Sequence, residues 1–62
     1  MCEASAYVVR DGQEELVFQD VAALERDGNK LLLIGLFGEQ KLIEGEITKI
    51  DLLTHKIYLK KA

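Results

Sequence analysis

Two hairpin signals, Asp11-Gly12 and Asp27-Gly28-Asn29, stand between apolar stretches of a chain that contains no proline, and they constrain the fold more than any other feature. Asp-Gly and Gly-Asn pairs accept the positive-φ conformations that tight β-turns require, so each marks a reversal between antiparallel strands. Ahead of the first turn, Ala4 to Arg10 alternates, with Ala6 and Val8 on one face and Tyr7 and Val9 on the other. It leads through Asp11-Gly12 into Glu14 to Phe18, a first hairpin. Asp20 is a residue type that caps helices, and Val21, Leu24 and Glu25 have helical spacing. Too few residues remain before Asp27-Gly28 for a stable helix, however, and the β-type run Lys30 to Phe37 needs an antiparallel neighbour. Val21 to Arg26 is therefore read as a separate strand.

After a turn at Gly38-Glu39, Lys41 to Leu52 reads as a strand that bends at Gly45. Leu53-Thr54-His55 makes the last turn, and Lys56 to Lys60 alternates as a closing strand. The sum is all-β: five to seven short strands, regularly spaced, in one domain spanning 1–62, as in a small sandwich or barrel. Closing the sheet into a barrel protects edges that a short open sheet would leave free to pair.

The chain has 62 residues, a size at which only about 60% of the unfolded surface is buried on folding. Such domains gain stability from disulfides, a metal or a partner chain. A single cysteine, Cys2, rules out an internal disulfide, and a partner chain is the favoured source. The net charge of −3 has the wrong sign for a protein that binds by neutralising phosphates, so nucleic acid is a disfavoured partner. The apolar run Leu31 to Phe37 is too short to span a bilayer, and the first residues lack the layout of a secretion signal. The expected location is the cytoplasm, with a reduced thiol.

Cys2 becomes the terminal residue when the initiator methionine is removed, as is common ahead of a small residue. Its thiolate and α-amine then sit on adjacent carbons, able to close a five-membered chelate ring. The amine titrates near ~7.7–8 and the thiol near ~8.5, so both ligand atoms are accessible near neutral pH. A lone cysteine is more often a small buried hydrophobe. Zinc wants four ligands of the Cys and His type, more than one Cys and one His per chain provide. A two-fold dimer with its amino termini near the axis changes this, because each terminal residue meets its own copy. Two Cys2 thiolates and two amines suit nickel(II) or copper(II), with backbone amides at Glu3 as further nitrogen donors. Nickel is preferred, since thiolates tend to reduce copper(II).

Enzyme chemistry is disfavoured. The one Cys–His pairing available, Cys2 with His55, lacks an orienting third group, and His55 reads as a polar turn residue. Gly35-Leu36-Phe37-Gly38 lacks the Lys-Ser/Thr ending of a phosphate loop. The carboxylates Glu14, Glu15, Glu25, Asp27, Glu44 and Glu46 are read as a solvated face. Phe18 and Phe37 are expected to fill the core, and no aromatic cluster interleaved with Lys or Arg suggests a platform for stacking bases.

The start Met1-Cys2-Glu3, Asp20-Val21, Asp27-Gly28 followed by Leu31 and Leu33, Leu36-Phe37-Gly38-Glu39, and the ending Ile50-Asp51-Leu52 with Ile57-Tyr58-Leu59 together resemble the CooT family. The resemblance runs over essentially the whole chain. It implies a small SH3-like or Sm-like β-barrel that forms a homodimer and binds about one nickel(II) per dimer through Cys2 of each subunit. It also implies nickel delivery to an enzyme such as carbon monoxide dehydrogenase. Only Cys2 matches the family's metal-binding position; Glu3 is its neighbour, and His55 has no counterpart. The family has also carried the label of predicted RNA-binding protein, so the alternative is an RNA-binding or protein-interaction barrel in which Cys2 is incidental. A continuous stripe of Arg10, Arg26, Lys30, Lys41, Lys49, Lys56, Lys60 and Lys61 would favour RNA, and lysines scattered among glutamates would favour nickel.

Overall fold

The structure, a computed structural model, describes residues 4–62. At the first hairpin Asp11 and Gly12 both hold positive φ, 53° and 76°, the pair of left-handed residues that defines a type I′ turn. The turn joins β1 (Ala4–Arg10) to β2 (Gln13–Asp27), pairing Arg10 with Gln13. Gly28, at φ 63°, opens the second turn, which joins β2 to β3 (Lys30–Gly35). The chain then runs through β4 (Gln40–Asp51) to β5 (Lys56–Lys61).

Among the described residues these five strands form a closed barrel in the order β1-β2-β3-β4-β5. Each sequential pair is antiparallel. In a five-stranded meander the first and last strands run in the same direction, so the closing pair, β1 with β5, is parallel. Its register sets Tyr7 beside Tyr58 and Val8 beside Leu59.

Two strands, β2 and β4, divide their length between their two partners. The first half of β2 pairs with β1 and the second half with β3, with register shifts on both ladders near the crossover. Asp20 makes the corner in the left-handed conformation at φ 55°, which aspartate tolerates better than most residues. The segments Glu14 to Phe18 and Val21 to Arg26, expected as separate strands, are thus the two halves of one strand bent at Asp20. Similarly, β4 passes from β3 to β5 at Gly45, which pairs with Lys61. A Cβ at Gly45 would run into the carbonyl oxygen of Lys60, so the bend expected from the sequence is also a close backbone approach.

The interior is filled by Ala6 and Val8, Leu31 and Leu33, Ile43, and Ile57 and Leu59. Ala4, Val17, Phe18, Val21 and Leu24 pack on it from its margins. Alternation therefore places the outer face where expected on β1 and β5, and no buried polar side chain interrupts the core among the described residues.

Candidate functional site

One end of the barrel is defined by a continuous row of neighbours. Gly35 pairs with Val21, Val21 with Ala4, Ser5 with Lys56, and Lys56 with Asp51. The amide of Ser5 also donates to the carbonyl of His55 at 2.9 Å. The start of β1 is thereby fixed midway along the row, between the β3–β4 loop and the β4–β5 turn. With strands about 4.8 Å apart, each lies about 10 Å from Ala4.

Hydrogen bonds hold the β3–β4 loop closed. Gly35 N donates to Glu39 O at 2.8 Å, Gly38 N to Gly35 O at 3.1 Å, and Leu36 N to Asp20 O at 3.2 Å. The Glu39 carboxylate folds back and accepts from Phe37 N at 3.0 Å. The opposite turn is organised by Asp51, whose Oδ1 accepts from Leu53 N at 3.0 Å and Thr54 N at 3.2 Å. These amides, that of Thr54 foremost, hold the Asp51 carboxyl below the usual carboxylate range. Beside the turn, Lys56 Nζ lies 3.4 Å from Glu14 Oε1, and the glutamate raises the lysine's proton affinity.

Both connections present apolar side chains to solvent. Phe37 is 89% exposed and Leu53 93%, and Leu36 and Leu52 are exposed as well. The expectation that Phe37 fills the core is therefore corrected: it sits past the end of β3, where β-alternation no longer applies, and the loop closes beneath it. Phe18 does pack on the core.

Cys2 and Glu3, the residues expected to bind metal, lie outside the described residues and directly precede β1. Among the described residues no group of three or more His, Cys, Asp and Glu side chains could hold an ion. His55 occupies a left-handed turn position at φ 57° and is exposed, in keeping with its reading as a turn residue.

The outer face of β1 and β5 carries a feature that sequence reasoning missed. Tyr7 and Tyr58 lie 6.2 Å apart with rings tilted by 34°, Lys56 Nζ is 5.0 Å from the Tyr7 ring centre, and Lys49 Nζ is 5.7 Å from that of Tyr58. An aromatic cluster interleaved with lysines is thus present, contrary to expectation. It arises because the parallel closure joins residues far apart in the chain. The basic residues do not merge into a stripe: Lys30 faces Glu44, Lys56 faces Asp51 and Lys60 faces Glu46 across their ladders.

Residues 1–60 match the family model described as "CO dehydrogenase accessory protein CooT". The chain belongs to the CooT family. CooT is an accessory protein of the enzyme rather than the enzyme itself. The chain is 42% identical over 59 residues to the uncharacterised protein MJ1551 of Methanocaldococcus jannaschii, covering 95% of this chain and 96% of the relative. The crystal structure of a protein assigned to CooT from Carboxydothermus hydrogenoformans superimposes with a TM-score of 0.91 at 38% identity, covering 98% of each chain. Among the described residues, no helix is long and apolar enough to cross a membrane.

Proposed function

We propose that this chain is a nickel(II)-binding accessory protein of the cytoplasm, acting as a homodimer that holds one ion between its two Cys2 residues for transfer to a nickel enzyme such as carbon monoxide dehydrogenase. The observation that carries this reading is the placement of the start of β1 at a barrel end whose flanking connections expose Leu36, Phe37, Leu52 and Leu53. A two-fold dimer needs such a surface, and Cys2 is covalently tied two residues before Ala4. Family membership supports an accessory role toward a nickel enzyme.

Chemically, a terminal thiolate and amine from each subunit offer a square of two sulfurs and two nitrogens, and deprotonated amides at Glu3 offer alternative nitrogen donors. A set of so few ligands favours release, which suits a carrier. Titration of nickel(II) into methionine-trimmed protein should produce thiolate-to-nickel absorption that saturates at half an equivalent per chain. Undiminished absorption in Cys2→Ser would defeat the proposal.

The Tyr7–Tyr58 pair with its two lysines is the observation that favours RNA binding instead. Lysines lie over both rings and acidic residues interrupt the basic surface, so this reading ranks second. It requires salt-sensitive RNA affinity that Cys2 replacement leaves unchanged.

A further inference from the structure

The two exposed connections differ in character. The β3–β4 loop is a rigid projection: four hydrogen bonds fix its backbone while Phe37 stands 89% exposed at its tip. The β4–β5 turn is a broader apolar surface, with Leu52 and Leu53 presented side by side and their backbone held by Asp51. They lie on opposite sides of the start of β1, at about equal distance. An aromatic carried on a pre-fixed backbone pays little backbone ordering entropy on association, which is the character of an interface anchor.

We infer that the occupant of this end is a second copy of the chain, docked crosswise so that the Phe37 loop of each protomer seats on the Leu52–Leu53 turn of the other. The inference rests on the dimer of the proposed function and deepens it by naming the surfaces that meet. Across a two-fold axis, groups on opposite sides exchange partners while a group on the axis meets its own copy. A chain start set midway between the two connections brings the Cys2 pair to the axis when loop and turn exchange.

Charge separates this arrangement from the alternative in which each connection meets itself. The loop side carries Asp20 and Glu39 against Lys41, whose Nζ donates to Val17 O at 3.3 Å. The turn side carries Lys49, His55 and Lys56, with Asp51 and Glu14 as counter-charges. Self-pairing sets the acidic excess of the loop side against its own copy, and crosswise pairing sets it instead against a turn side whose Lys49 and Lys56 are balanced by Asp51 and Glu14. The area is also sufficient. Phe37 with Leu36, Leu52 and Leu53 offers roughly 400–450 Å² of apolar side chain per protomer. At about 60% apolar content this corresponds to about 1,400 Å² of total buried surface, within the range of stable interfaces.

The test is sedimentation velocity on trimmed, nickel-loaded protein, with circular dichroism confirming that these surface variants fold. Phe37→Asp should raise the dimer dissociation constant about thirtyfold, and Leu53→Lys should weaken the dimer. The double variant Phe37→Asp/Leu53→Lys should recover most of the loss, because the introduced charges face each other only between protomers. A monomeric wild type, a Phe37→Asp protein that dimerises like wild type, or a double variant without recovery overturns the crosswise interface. Failure of the nickel reading would look different: a wild-type dimer that responds to the substitutions as described but takes up no nickel.

Discussion

Replacing Leu59 by alanine measures how far this barrel depends on its small interior. Leu59 is completely buried on β5, between Val8 on the parallel neighbour and Ile47 on β4. Truncating a buried leucine costs about 2–5 kcal/mol, with the larger values where the cavity cannot collapse. In a closed barrel no strand can move inward without disturbing the ladders on both sides, so a loss of about 3–4 kcal/mol is expected. A chain of 62 residues has a total stability of about 3–9 kcal/mol, and the substitution removes a large share of it. With a urea slope of about 1 kcal/mol/M, the unfolding midpoint should fall by about 3 M, read by far-ultraviolet circular dichroism. Protein concentration must be held fixed, because the proposed dimerisation would add stability by mass action. Leu42→Ala, on a side chain 58% exposed on β4, is the control and should cost about 0.5 kcal/mol or less. A Leu59→Ala midpoint within about 0.5 M of wild type, or one no lower than that of Leu42→Ala, would refute the reasoning.

Gly45→Ala should lower stability by about 1–3 kcal/mol, since its Cβ meets the Lys60 carbonyl oxygen. Gly12→Ala, where a Cβ meets nothing within 4 Å and only the positive φ is strained, should cost about 1 kcal/mol, and matched urea melts will separate the two. The Asp51 carboxyl, followed through the Leu53 and Thr54 amide resonances, should titrate with a midpoint below its ordinary 3.8. Because the folded value is the lower one, this stabilisation is present above the unfolded pKa and is lost as pH falls through the folded value. Asp51→Asn should flatten that part of the acid-unfolding profile, and an unchanged profile would contradict the assignment.

Local chemistry made much of the fold legible. Asp11-Gly12 and Gly28 fall at the observed turns because few other residues accept their backbone angles. The alternation of Ala6 and Val8 with Tyr7 and Val9, and of Ile57 and Leu59 with Tyr58, separated inside from outside. Non-local features were hidden. Nothing local to Asp20 shows that a strand continues through a left-handed residue, since the continuity is imposed by pairing with β1 on one side and β3 on the other. The meeting of Tyr7 with Tyr58 depends on barrel closure. Phe37 reads as core from sequence because its hydrophobicity is intrinsic, whereas its exposure follows from the Gly35–Glu39 closure beneath it. Cys2 stands out only through its type and terminal position, and the barrel end at which β1 begins emerges only once the strands are in register.

The most direct measurement of the central claim is native mass spectrometry of nickel-loaded protein, alongside a denatured spectrum that verifies removal of Met1. The account predicts a dimer carrying one nickel ion, with the ion absent from Cys2→Ser and weakly held when Met1 is retained. One ion on each monomer, or a Cys2→Ser dimer that keeps its nickel, would contradict it.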